Sequence, residues 1–480
     1  MAKNGNTLSR NIVKAMGLFG SLQVLNILCS VIRTKIIALW IGPAGMGLFA
    51  IFHSATDMIG NITSMGLRTS SIRNISQEAD NNSKLTTIIK VVRRWSVILG
   101  VFGALTIACA SPLLSKLTFG DSSHIWGFVM LALALFANSI TSGEFAILQS
   151  TSMLRKLAKA SLYGAISGLC LSIPLYYFLG EQGIVPSIIC YSLSVLFFSR
   201  IMRHKEIEGE CVCLSMKDTV NMGKDFLKLG VFITLTDIVA QTSNYIFISY
   251  LNNVASTETV GYYQAGYTLI AKYTGLILSA LCVEYFPRLS RVAHSNIRLN
   301  AFVSQELNIA LLALTPVIVA FILFRRVIIS ILYTSDFFII ETFISIGIIG
   351  MIFRTVSWCM GFVILAKGKG KMFFITEVID TVIFISLYII SYHLWGLNGF
   401  GYAFVAWYFT YTLIVSFCYF RLFGLKLDKS CYKWLAWALS TSVGAFISME
   451  LGCVWGVALV LLVTLYYSAM RFRKLLAHKK

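Results

Sequence analysis

Runs of eighteen or more residues with scarcely a charge recur along the whole chain, and no other feature constrains its fold as much. Each run is long enough to cross roughly 30 Å of hydrocarbon as a helix, which satisfies its own backbone polar groups inside a bilayer. Of the 480 residues, 57% are hydrophobic and 13% charged, too few polar side chains to coat a water-soluble body of this length. The expected class is an all-α polytopic membrane protein. Helices are expected at roughly 11–40, 46–66, 89–110, 124–150, 158–179, 183–201, 225–250, 260–286, 305–324, 341–366, 372–395, 399–421, 432–450 and 453–471, about fourteen in all. The first apolar stretch, from Ile12 to about Ile41, is too long for the core of a cleavable signal.

The formal charge of +19 is dealt out in short packets between apolar runs. That pattern sets membrane orientation rather than forming one basic face for nucleic acid. With the N-terminus inside, 33 of the 40 Lys and Arg fall on the cytoplasmic side, and only Lys116, Arg325 and Arg326 on the other. The expected topology is therefore N-in, C-in. The remaining four, Arg33, Lys35, Lys272 and Arg354, lie inside apolar runs. Most of the eleven cysteines are scattered in such runs, and the lone C-x-C of Cys211 and Cys213 has no second pair to build a zinc site. No metal or other cofactor is expected. A phosphate-binding G-x-x-x-x-G-K-[ST] sequence is absent, which argues against ATP hydrolysis by this chain.

The two halves repeat at an offset of about 214 residues. Gly47-Leu-Phe recurs as Gly261-Tyr-Tyr, Ile72-Arg73-Asn-Ile-Ser76 as Phe286-Pro-Arg-Leu-Ser290, and Gly180-Glu-Gln-Gly183 as Gly396-Leu-Asn-Gly399. Six helices per repeat give both the same orientation, one of the standard transporter plans. The expected organisation is an N-lobe over 1–203, a cytoplasmic linker over 204–224, a C-lobe over 225–423, and an appended helix pair with a basic tail over 424–480.

The stretch from Leu39 to Phe49, with its Gly-Pro-Ala-Gly-Met-Gly loop, followed by Asp57 and by Gly66-Leu-Arg-Thr-Ser-Ser-Ile-Arg73, resembles the first helical hairpin of the O-antigen translocases. These are lipid-linked oligosaccharide flippases of the multidrug/oligosaccharidyl-lipid/polysaccharide exporter superfamily. Tyr285-Phe-Pro-Arg-Leu-Ser-Arg291 and Leu365-Ala-Lys-Gly-Lys369 are similar to that family's cytoplasmic turns. The resemblance covers roughly residues 8–423. It implies two six-helix lobes around a central cavity that opens alternately to each side of a bacterial inner membrane. The cargo it implies is an undecaprenyl-pyrophosphate-linked oligosaccharide, moved from the cytoplasmic to the periplasmic leaflet. A polysaccharide polymerase and a chain-length regulator are the protein partners that would follow, with membrane lipids around them. The extra C-terminal helix pair departs from the family's usual plan.

A charge at mid-bilayer costs at least about 2.5–3.5 kcal/mol on insertion scales, so it commonly faces a cavity or a partner. Arg33, Lys272, Arg354 and Lys35 would offer a diphosphate a cationic path, the arginines by bidentate contact. The bland alternative is structural pairing, or snorkelling for Lys35. Asp57, Asp237, Glu144, Glu377 and Asp380 are candidates for proton or ion coupling; Glu377 and Asp380 share a helical face and could instead pair with Arg354. Gln23 and Asn26, and Gln241 and Asn244 with Asp237, share faces suited to lining a cavity. His53 stands one turn before Asp57, and Tyr262, Tyr263, Tyr267 and Tyr273 could stack sugars or form an interfacial belt. An ion-coupled drug exporter would want an acidic cavity, and a membrane glycosyltransferase or polymerase would want a catalytic cluster outside the bilayer; neither pattern is evident.

Overall fold

The computed structural model describes residues 25–77, 82–203 and 216–477. Gln23, the start of the first helix, Cys211 and Cys213 lie outside the described residues. Most of the described residues are helical, and none of them lies in a strand. The chain divides into two compact units between Gly261 and Tyr262.

The first unit contains α1 (residues 25–40), α2 (Gly42–Ser64), α3 (Leu67–Gln77), α4 (Asn82–Phe119), α5 (Ile125–Ser150), α6 (Leu154–Leu179), α7 (Ile184–Ile201) and α8 (Met216–Val254). It also holds the start of α9 (Thr257–Tyr267). Most of α2 is buried. Leu105, Leu113 and Leu117 on α4 are exposed instead, an inverted pattern that suits a lipid-facing surface. Helix α4 runs beyond the expected 89–110 because Pro112 does not stop it. Proline removes the hydrogen bond to the carbonyl four residues back. That carbonyl, on Ala108, accepts the Ser111 hydroxyl at 2.7 Å instead.

Helix α8 packs on α2, α3 and α4. Its C-terminal part is tied to the end of α4: Thr118 Oγ1 lies 2.8 Å from the Tyr245 hydroxyl and 3.0 Å from Ser249 Oγ, and Asn252 Nδ2 donates to the Thr118 carbonyl at 2.7 Å. This satisfies a carbonyl that the helix end would otherwise orphan. The start of α9 crosses α2 with backbones in contact. A Cβ on Gly47 would strike the Thr257 carbonyl, and one on Gly261 the Pro43 carbonyl. The two contacts are reciprocal: Gly47 and Gly261, like Pro43 and Thr257, stand at the 214-residue spacing of the sequence repeat.

In the second unit α9 passes through a π-helical turn, Thr268–Tyr273, into α10 (Gly275–Val292). Then follow α11 (Asn296–Leu323), α12 (Arg325–Leu332), α13 (Glu341–Gly347), α14 (Gly350–Ala366), α15 (Gly370–Trp395), α16 (Gly399–Phe417), α17 (Lys429–Glu450) and α18 (Val454–Ala477). Two differences from expectation have local causes. The stretch 325–340, expected as a loop, holds two short helical pieces, Arg325–Leu332 and Ser335–Ile340, and Arg325 is drawn inward by Glu341 (2.6 Å) and Ser345 (3.1 Å). The helix expected over 341–366 is bent by 49° at Ile348-Ile349. Gly347 and Gly350 flank the bend, where added Cβ atoms would meet Ile270 and Phe404.

Six helical stretches among the described residues are long and apolar enough to cross a membrane, seven if the bent pair counts as one. Two of them, Leu154–Ile201 and Gly370–Leu422, have 48 and 53 residues and fold back at a glycine turn. The two turns are conformational twins. Gly180 has φ +56° and donates to the Tyr176 carbonyl; Gly396 has φ +57° and donates to the Tyr392 carbonyl. Only glycine adopts such a conformation without strain.

The appended pair, α17 and α18, is fastened to α11. Asn308 Nδ2 donates to Ser430 Oγ at 3.0 Å. Pro316, inside α11, frees the Leu312 carbonyl, and Ser468 Oγ on α18 donates to it at 2.9 Å. Ser468→Ala is expected to lower the unfolding free energy by about 1 kcal/mol, the scale of interhelical hydrogen bonds in membranes. Reversible unfolding in mixed detergent checks this, with Ser468→Thr keeping most of the stability.

Candidate functional site

Within the first unit, α1, α2, α5 and α7 enclose a cavity of about 80 Å³ lined by Arg33, His53, Asp57, Asn138, Tyr191 and Ser192, among others. The Arg33 guanidinium sits between two rings, 5.0 Å from the centroid of Phe49 and 4.6 Å from that of Tyr191. Its Nε is buried with no hydrogen-bond partner. Aromatic faces hold a cation without consuming its N–H donors, so this guanidinium keeps its planar fork for an anion. A buried donor left open is costly in a finished protein and calls for a ligand or water. His53 Nδ1 lies 2.9 Å from Asp57 Oδ2 across one turn of α2, and both side chains are about half exposed. The cavity therefore places a guanidinium with an open donor beside a histidine–carboxylate pair.

The other residues expected in the first unit go different ways. Lys35 stands about 200° around α1 from Arg33, on the opposite side of the helix. Asn26 sends Nδ2 to the Ser161 hydroxyl on α6 at 3.0 Å. Glu144, 3% exposed, is forked by Arg93 at 3.0 and 3.3 Å. Asp237 is exposed on α8, with Gln241 and Asn244 half-buried beside it.

In the second unit the structure brings two expected cations onto touching elements. Arg354 on α14 donates to the Ala271 carbonyl at 2.9 Å, inside the π turn and immediately before the exposed Lys272. Such turns are frequent at functional sites. Arg354 also lies 5.4 Å from the Tyr408 ring centroid. Asp380 accepts Trp407 Nε1 at 2.7 Å, and Glu377 accepts the Tyr411 hydroxyl at 2.8 Å. The acidic pair on α15 thus faces two aromatic donors one turn apart on α16. Trp407 and Tyr408, with centroids 4.3 Å apart, connect it to Arg354. Among the described residues no group of three His, Cys, Asp or Glu is placed to hold a metal ion.

Residues 36–340 match the model of the family described as polysaccharide biosynthesis protein. The chain belongs to that family. The lipid III flippases of Escherichia coli (strain K12) and Shigella flexneri are each 21% identical to it over 386 residues, 80% of this chain and 91% of theirs. Among solved structures, the lipid II flippase MurJ in an inward closed conformation superposes with a TM-score of 0.69 at 15% identity, covering 96% of this chain and 99% of that one. An inward-facing multidrug resistance MATE family transporter of the MOP superfamily also gives 0.69, at 14% identity, covering 81% and 92%. The fold is that of the MurJ and MATE transporters. These relatives and structural neighbours are named as flippases and transporters.

Phe49, Tyr191, Asn138 and Ser192 were not singled out by sequence reasoning as parts of a site. Neither aromatic residue carried a local signal: Phe49 belongs to the helix beyond the break at Ile41 and meets Arg33 only in the folded chain.

Proposed function

We propose that this protein is a flippase for an undecaprenyl-pyrophosphate-linked oligosaccharide of the O-antigen repeat-unit type. It carries its cargo from the cytoplasmic to the periplasmic leaflet of a bacterial inner membrane by alternating access. The observation that supports this best is Arg33, held between Phe49 and Tyr191 with Nε unpartnered in a cavity. A guanidinium so placed suits a diphosphate and repels a cationic drug. The names of the lipid III and lipid II flippase relatives agree in cargo class. Arg354 and Lys272 serve the same anion later in the cycle. His53–Asp57, and the Glu377 and Asp380 pair, couple transport to protons or another cation. The reading includes about fourteen crossings with both ends inside, since positive loops face the cytoplasm. It also includes lobes over 1–203 and 225–423, and polysaccharide polymerase and chain-length regulator as functional neighbours.

Deletion of the gene is expected to abolish surface polysaccharide and leave lipid-linked repeat units on the cytoplasmic leaflet, with restoration by the intact chain. Unchanged surface polysaccharide in the deletion strain would overturn the proposal. Increased sensitivity to cationic dyes as the sole phenotype would favour a drug exporter instead.

A further inference from the structure

The last apolar span, Val454–Arg471, ends where α18 meets the start of α17 in a cluster of rings. Trp434 and Trp437, one turn apart on α17, stand edge to face with centroids 5.4 Å apart. Tyr467 of α18 closes on both, at 5.5 and 5.7 Å. One turn beyond Tyr467, Arg471 lays its guanidinium 5.6 Å from the centroid of Trp434. That exposed guanidinium makes no hydrogen bond or ion pair with another described residue. An aromatic face orients a guanidinium without consuming its N–H donors, so Arg471 keeps its fork for an anion.

The charge around it is largely of one sign. Lys429 and Lys433 are exposed on the first turns of α17, and Arg473 and Lys474 follow Arg471. From residue 429 to residue 480 the only carboxylate is Glu450, at the far end of α17 and bonded to Arg325. Asp428 directly precedes α17, its backbone N–H donating to Ser304 Oγ on α11. Glu306, also on α11, lies about 160–200° around that helix from Ser304 and Asn308, the residues that bond the start of α17.

The face below Arg471 narrows the anion further. Tyr467, Val463 and Leu459 each stand four residues back from the one before, so they form a stripe along α18 on the Arg471 side. They are 40%, 55% and 64% exposed. A basic end above an exposed apolar stripe suits a phosphate that carries an acyl chain. A second copy of this chain would instead set like charge against like.

We infer that Arg471, seated on Trp434, binds the phosphate of an anionic phospholipid whose acyl chain lies along the Tyr467–Val463–Leu459 stripe. The inference does not depend on what the protein transports.

The test uses the full chain in nanodiscs of phosphatidylcholine with increasing phosphatidylglycerol, with retained lipid read by native mass spectrometry. The parent is expected to keep phosphatidylglycerol in preference to phosphatidylcholine. Arg471→Gln is expected to weaken that retention at least tenfold, the scale of losing a charge-assisted contact. Arg471→Lys is expected to fall between, keeping charge while losing the fork. Trp434→Leu is expected to lose part of the retention and Trp434→Phe less, because a ring face remains. Lys479→Gln removes the same charge from elsewhere and is expected to stay close to the parent. Thermal unfolding of Arg471→Gln in phosphatidylcholine alone is expected to match the parent, which separates lost binding from lost folding. Equal phosphatidylglycerol retention by the parent and Arg471→Gln would overturn the assignment. So would a loss in Lys479→Gln as large as that in Arg471→Gln, since summed charge alone would then hold the lipid. Full displacement of the lipid by inorganic phosphate, or a dimer that Arg471→Gln abolishes, would equally overturn it, the occupant then being a free anion or a second copy.

Discussion

Arg33→Ala is expected to reduce the flux of lipid-linked oligosaccharide about a hundredfold, while Arg33→Lys retains a measurable fraction. The guanidinium is clasped by Phe49 and Tyr191 and has a buried Nε without a partner. A hydrogen bond to a charged group is worth about 1.5–3 kcal/mol, and the fork offers two to a phosphate. Losing about 3 kcal/mol of that interaction corresponds to roughly a hundredfold in rate or affinity. Lysine keeps the charge as a compact, strongly hydrated point, and loses both the stacking and the second donor. Flux of a fluorescent polyprenyl-diphosphate oligosaccharide in proteoliposomes would measure both variants. Tyr191→Leu should lie between them, because it removes one face of the clasp and leaves the fork. Undiminished flux in Arg33→Ala would remove Arg33 from the cargo path.

Arg325→Met is expected to lower the unfolding free energy by about 3 kcal/mol, the low end for breaking a buried ion pair. Arg325 is 7% exposed and bridges three elements. It reaches Glu341 at the start of α13 (2.6 Å), Ser345 one turn on (3.1 Å), and Glu450 at the end of α17 (2.9 Å). The low end applies because Glu341 keeps the exposed Arg326 at 2.8 Å and Glu450 is 44% exposed, so each carboxylate is only partly stranded. Adding Glu341→Gln should recover part of the loss, since the stranded charge carries much of it. Detergent unfolding of the single and double variants checks the sign and the recovery. A double variant less stable than the single would show that the pair itself, rather than the orphaned carboxylate, holds α12 to α13.

How much of this was legible beforehand follows from contrast. A charge in an apolar run stands out, which is why Arg33, Asp57 and Arg354 could be picked from the sequence. Phe49 and Tyr191 could not, because one aromatic residue among many apolar ones carries no local signal, and their hold on Arg33 depends on three helices meeting. The glycine turns at Gly180 and Gly396 were readable because both glycine and the spacing recur. The π turn at Thr268–Tyr273 has no composition of its own, so Arg354 reaching the backbone beside Lys272 was invisible. The same limit hid the partners of Glu377 and Asp380. Two carboxylates beside an arginine invite an ion pair on paper, whereas the structure supplies Trp407 and Tyr411 as donors.

The bond from Ser468 to the carbonyl freed by Pro316 links positions 156 residues apart. At about 5–20 residues per second of synthesis, α11 enters the bilayer roughly 8–30 s before its partner is made. During that interval the Leu312 carbonyl must find water, lipid headgroup or another helix, because an unmet polar group in hydrocarbon costs several kcal/mol. A chain cut short before α18 would leave that debt permanent, and membrane quality-control proteases would see a half-finished bundle. Helix α18 in this sense completes a bond whose acceptor was laid down 156 residues earlier, in the middle of α11.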